Sequence, residues 1–270
     1  MIRLLKIELK KILSYKTFWV LTGLFVFSLS FVLTVSQIII NKIVSTASLQ
    51  SPIPLPRISL FIFPKIWSNL TYIGGYFNIF LAIIVISLIA NEFSYKTLRQ
   101  NIIHGMSRKE FLLSKLYLIT LISIATTMLL FLVGLILGLI HSKSPDLSDI
   151  FNTRLQFFIG YFVEVFTYLI FAFFISFTVK KAGLATITLL FYTMMEQIIV
   201  WWKVSSDFVM FMPMKALGRL IHFPKIPLPE IDGSGIKFQD YVSVTDTGIA
   251  VVYAAILIVL IYVILKKRDL

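Results

Sequence analysis

Two carboxylates stand inside long apolar runs, Glu164 in QFFIGYFVEVFTYLIF and Glu196 in LLFYTMMEQIIVWW. A charge in hydrocarbon costs at least about 2.5–3.5 kcal/mol on insertion scales, so each marks either a transport pathway or a hydrogen bond that joins helices. At about 1.5 Å of rise per residue, they lie roughly 13 and 10 Å from the outer ends of their runs. They could therefore meet or line one cavity. Hydrolytic chemistry in a membrane would need clustered histidines or paired acids at a shared depth. The three histidines, His104, His141 and His222, are scattered without metal-ligand spacing. The chain has no cysteine, which excludes disulfides, thiolate metal sites and cysteine nucleophiles. No GxxxxGK[ST] phosphate loop occurs, so energy from ATP would have to come from a separate polypeptide. The residues offer no catalytic constellation, so the expectation is a non-catalytic chain with no cofactor or metal of its own.

The elements that hold these residues are membrane helices. Of 270 residues, 58% are hydrophobic and 14% charged, and the mean hydropathy is +0.92. Soluble domains run at about 45–50% apolar and about 25% charged. A bilayer-crossing helix needs about 20 mostly apolar residues. Six segments satisfy that, near 17–40, 70–90, 111–140, 155–179, 182–202 and 247–265, so the expected fold is an all-α polytopic membrane protein forming a single transmembrane domain. The first segment is too long for the core of a signal peptide and reads as a retained span. Within residues 1–16, Ile2, Leu5, Leu9 and Ile12 recur at helical spacing opposite Arg3, Lys6 and Lys10, the pattern of a helix lying in the membrane interface. The third span carries Gly134-Leu-Ile-Leu-Gly138, a spacing that permits close helix approach but also arises by chance in apolar segments.

The net charge of +12 is clustered at the ends of spans, which argues for orientation in a bilayer and against nucleic acid. With both termini inside, 15 of the 25 Lys and Arg face the cytoplasm, including Lys180, Lys181, Lys266, Lys267 and Arg268. Lys/Arg counts set topology. Trp201 and Trp202 beside Lys203 then form an aromatic girdle at the outer interface. Two outer connectors are long. Residues 41–69 contain SPIPLPR, whose prolines oppose regular helix, and FIFPKIW, which suits the interface. Residues 203–245 begin with FVMFMPMKALGRLIHF, too apolar for a free loop, and continue as turn chemistry in PKIPLPEIDGSG.

The most informative polar stretch is Asn91–Lys115, NEFSYKTLRQNIIHGMSRKEFLLSK, a basic connector between the second and third spans. Gly105 can stop a helix begun near Thr97, because glycine accepts the left-handed conformation. Ser107-Arg108-Lys109-Glu110 is a capping box that starts the next helix. A short helix over Thr97–His104 would present Leu98, Ile102 and Ile103, with Arg99 and Gln100 beside them. On the residues alone, a solvated basic loop remains open.

Glu92, Thr97-Leu98-Arg99, Ser107-Arg108 and Lys115 resemble the cytoplasmic signature of ABC-2 permeases, the membrane subunits of one class of ABC exporter. The layout is similar over nearly the whole chain: an interfacial N-terminal helix, six spans and a long outer loop before the last. In that family the corresponding segment holds a coupling helix that docks into an ATPase subunit, and the outer loop often holds short re-entrant helices, as Phe208–Phe223 would. The resemblance implies that Glu92, Thr97, Leu98, Arg99, Ile102, Ile103 and Arg108 couple to an ATPase carrying ATP and Mg. It also implies a second permease copy or paralogue as partner and a bacterial inner-membrane location. The other expectation is an ATP-independent secondary transporter or channel using Glu164 and Glu196.

Overall fold

The computed structural model describes residues 2–50, 59–142, 146–151, 153–202, 211–222 and 241–267. Among these the chain is all-helical, with no strand. An amphipathic helix α1 (Ile2–Leu13) leads into α2 (Lys16–Gln50). Helices α3 (Ile66–Gly75) and α4 (Asn78–Ser94) are followed by the short α5 (Thr97–Ile103) and the long α6 (Arg108–His141). A one-turn α7 (Leu147–Ile150) and a 3-10 turn (Thr153–Leu155) precede α8 (Gln156–Val179). The remainder is α9 (Ala182–Trp201), α10 (Pro213–Gly218) and α11 (Val244–Lys267). Five of these helices, α2, α6, α8, α9 and α11, are long and apolar enough to cross a membrane. This is a membrane protein.

Helix α8 is the hub. It packs on α3, α4, α6, α9, α10 and α11, and its small and hydroxylated residues bond neighbouring backbones. Ser176 Oγ donates to the Ile86 carbonyl on α4 at 3.0 Å, and Thr167 Oγ1 to the Ala250 carbonyl on α11 at 3.4 Å. In a bilayer such interhelical bonds supplement van der Waals packing, since apolar burial gives helices no advantage over lipid tails. Helices α2 and α9 lie at the periphery, with Phe27, Phe31, Ile187 and Phe191 exposed as lipid-facing side chains would be.

Three sequence expectations are corrected here. The expected second span, 70–90, is two helices, α3 and α4, bent by 43° at a break after Gly74-Gly75. Helix α2 continues through residue 50, so the expected connector 41–69 begins helical; SPIPLPR itself lies outside the described residues. The FIFPKIW segment does not turn its rings outward as a segment chosen to suit the interface would: Phe61, Phe63 and Trp67 are buried in the bundle. Trp67 is 0% exposed, and its indole N–H donates to the Ile150 carbonyl at 3.0 Å. Its ring stacks on Phe131 at 5.5 Å and meets Phe63 and Phe158 at 5.2 and 5.4 Å.

The two glycines of the α6 pair make this aromatic cluster possible. A Cβ on Gly134 would stand 2.7 Å from the Trp67 ring, and one on Gly138 would fall within the Phe63 ring's contact radius. Their spacing therefore seats aromatic side chains from α3 and its lead-in against the α6 backbone. Of the segment 203–245, the described part turns back onto the bundle: α10 packs on α8, α9 and α11, with Ala216, Leu217, Leu220 and Ile221 buried. Arg219 closes this fold through its guanidinium, 2.5 Å from the buried Asp246 carboxylate at the start of α11.

Candidate functional site

The connector between α4 and α6 is built by local rules. Lys96 adopts the left-handed region (φ 54°) and turns the chain out of α4 into α5. At the other end Gly105 takes φ 91°. Its N–H donates to the Ile102 carbonyl and the Met106 N–H to the Asn101 carbonyl, both at 3.0 Å, the paired bonds of a Schellman motif. Helix α6 then begins at the expected capping box. Ser107 Oγ accepts the Glu110 N–H at 3.2 Å, and the Ser107 N–H donates to Glu110 Oε2 at 2.7 Å.

A seven-residue helix cannot hold itself together in water, so α5 depends on anchoring. Leu98 supplies it, being only 2% exposed within the apolar core beside α4. Ile102 is half-buried against the same core, and Thr97 Oγ1 reaches the Glu92 carbonyl at 3.4 Å. What faces out is Arg99, Gln100 and Ile103, the last 73% exposed. The expectation that Leu98 leads an outward apolar face is corrected: Leu98 holds the helix to its own chain. Arg108 is likewise occupied, its guanidinium donating to the Lys266 carbonyl at the end of α11.

Glu92 also faces inward. Together with Glu8, Lys11 and Lys115 it forms an ion cluster joining α1, α4 and α6. Lys115 Nζ lies 2.7 Å from Glu8 Oε2 and also donates to Glu92 Oε1, while Lys11 Nζ lies 3.0 Å from Glu92 Oε1 and 3.3 Å from Glu8 Oε1. The Lys115 side chain is 1% exposed and its ammonium sits over the Phe111 ring at 5.3 Å. Lys115 is thus no surface charge of a basic connector. Two lysines balance two glutamates, which is how buried charge is tolerated. Among the described residues, Glu92 Oε2 is the one buried side-chain oxygen or nitrogen without a hydrogen-bond partner.

Burial pushes the Glu8 carboxyl up, but Lys115 and then Lys11 outweigh burial and hold it below its ordinary value of 4.5. Burial pulls the Lys11 ammonium down, but Glu92 and Glu8 outweigh that and raise it above its ordinary 10.5. A depressed carboxyl stabilises the fold above its unfolded pKa and loses that effect as pH falls through the folded value; a raised ammonium does so below its unfolded pKa and loses it as pH rises. The cluster should therefore hold α1 across about pH 5–10 and release it at both extremes. The labelling rate of a thiol at the buried Ile12 position (Ile12→Cys), divided by that of the unfolded variant at the same pH so that thiolate ionisation cancels, reports that release, and a Glu8→Gln variant should lose the acid-side transition. Protection of that thiol, taken against the unfolded variant at the same pH, falling steadily through pH 6–9 would contradict the assignment.

The two carboxylates of the apolar runs part company. Glu196 is buried and accepts the backbone N–H groups of Met214 and Lys215 at 3.2 and 2.5 Å. These are free donors in the first turn of α10, which has no side-chain cap of its own. Glu196 is therefore the cap of α10, joined to it across 18 residues. Glu164 instead faces a cavity of about 820 Å³ between the α3–α4 break, α8, α9 and α10. Asn78 Nδ2 donates to Glu164 Oε1 at 3.3 Å, and the Tyr161 hydroxyl donates to Asn78 Oδ1 at 3.0 Å. A Cβ on Gly75 would stand 2.8 Å from Glu164 Oε1, so the glycine at the break leaves room for the carboxylate. Nothing in the sequence linked the break to Glu164, although Gly74-Gly75 was the visible sign of it.

The bent helix pair, the hub helix carrying a cavity carboxylate and the short helix on the α4–α6 connector define a multi-helix membrane protein in which the cavity and the connector are separate features. The chain belongs to the family described as protein of unknown function (DUF2705), which it matches over residues 58–270. No curated protein matches it.

Proposed function

We propose that this chain is the permease subunit of an ATP-driven exporter of the ABC-2 type. In this reading the bent pair α3–α4 counts as one span, giving six, and both termini with the α4–α6 connector face the cytoplasm of a bacterial inner membrane. Two copies, or this chain and a paralogue, enclose the pathway, and separate ATPase subunits carrying ATP and Mg bind beneath. The permease performs no chemistry.

The observation that carries this reading is α5. It is a short helix fixed by a left-handed turn at one end and a Schellman motif at the other, pinned from behind by Leu98, with Arg99, Gln100 and Ile103 turned outward. A rigid, exposed apolar tip flanked by a basic side chain is the form a docking element needs. It lies between α4 and α6, so a push on it reaches the bent span directly. The ion cluster fits the same role by fastening α1 to both helices. The rival reading, proton coupling through Glu164 and Glu196, is weakened because Glu196 is engaged by two backbone N–H groups of α10.

Affinity purification of the tagged chain from its native membrane tests the proposal. A polypeptide bearing a phosphate loop should co-purify in stoichiometric amount, with ATP hydrolysis in the complex. Purification of the chain alone from mild detergent and from native nanodiscs would count against it.

A further inference from the structure

We propose that the cavity at Glu164 is a binding site for an organic cation, an amphipathic ammonium or phosphonium whose charge lies against the carboxylate and whose apolar body lies along α9. As the substrate class of an exporter this rests on the reading above; as a binding site it stands without it. A volume of about 820 Å³ falls in the range of drug-sized sites. One wall is apolar, formed by Ile79, Leu190, Met194 and Ile198. The other is aromatic and polar: Tyr72, Tyr76 and Tyr168, with the Tyr72 and Tyr76 hydroxyls 2.6 Å apart.

Charge decides the ligand's sign. Glu164 has no ion-pair partner among the described residues, and its one hydrogen-bond donor there is the neutral Asn78 amide at 3.3 Å. The lysine in the lining, Lys215, belongs to a different carboxylate: its backbone N–H bonds Glu196, which places that negative charge beside it. Among the described residues the cavity therefore presents one carboxyl group with no cation beside it in a low-dielectric wall, where ionisation alone is costly and ionisation against an arriving cation is favoured. Aromatic faces around it add attraction for a cation and little for an anion. His222, at the margin of the lining, is the remaining titratable group of opposite sign.

The test uses the full chain in lipid nanodiscs without ATPase, with tritiated tetraphenylphosphonium as probe and empty nanodiscs subtracted. Wild type should bind it saturably, and Glu164→Gln should weaken binding by about tenfold or more, since truncating one partner of a desolvated charge pair acts on affinity directly. Triphenylphosphine oxide, neutral and of similar shape, should not compete. Gln197→Trp adds bulk to the cavity wall from α9 while leaving residue 164 itself unchanged, and should abolish binding. This second variant decides the matter if Glu164→Gln fails to fold. Unchanged affinity in a folded Glu164→Gln, retained binding in Gln197→Trp, or competition by the neutral phosphine oxide equal to that of unlabelled tetraphenylphosphonium would each overturn the proposal. Failure to find an ATPase partner would overturn only the exporter reading and leave this result standing.

Discussion

Replacing Lys115 with alanine should be among the most damaging single changes in the chain, costing about 3–5 kcal/mol, because it strands two buried carboxylates without their cation. The substitution removes the 2.7 Å contact to Glu8 and the bond to Glu92, and leaves both glutamates in a cluster whose Glu92 Oε2 is already unpartnered. Lys11 cannot take over fully, since its side chain is 35% exposed and its charge is screened by water. A triple variant, Glu8→Gln, Glu92→Gln and Lys115→Met, should recover most of the loss, because it removes the buried charges together with their attraction. Thermal unfolding in one detergent across the three proteins checks this. A Lys115→Ala midpoint equal to wild type would mean that the cluster holds nothing together.

Opposite outcomes are expected from two substitutions five residues apart on α5. Leu98→Asp places a charge at a position 2% exposed, so α5 should detach from α4 and the protein should melt earlier. Fully burying a leucine-sized side chain is worth about 1.5–3 kcal/mol, and the uncompensated charge adds to that loss. Ile103→Asp changes a side chain 73% exposed and should leave the melting curve unchanged. It should nevertheless remove ATPase binding, or allow ATP hydrolysis without transport. If Ile103→Asp destabilises the isolated chain as much as Leu98→Asp, then α5 is merely another packed turn.

What could be read from the residues was what local chemistry determines. The capping box at Ser107–Glu110 and the glycine stop at Gly105 lie within a few residues of the groups they satisfy, so their spacing is visible in sequence. The five long helices announce themselves by length and composition. The break after Gly74-Gly75 was lost because apolar runs on both sides read as one span. The ion cluster was not legible either, since Lys115 and Glu8 are 107 positions apart and Lys11 and Glu92 are 81 apart. Its traces were there: Glu8 is the lone acid in a basic helix, and Lys115 interrupts an apolar run. Likewise Glu164 and Glu196 look alike in sequence, and only the return of α10 onto α9 gives one of them a backbone to cap.

The coupling role of α5 is tested most directly by a photo-crosslinking phenylalanine analogue at position 103, activated in native membranes. The expected result is one crosslinked product in which position 103 is joined to a polypeptide bearing a phosphate loop, with the same analogue at position 159, exposed on α8, giving none. Crosslinks from position 103 only to lipid or to the chain itself, under conditions where export is active, would contradict the account.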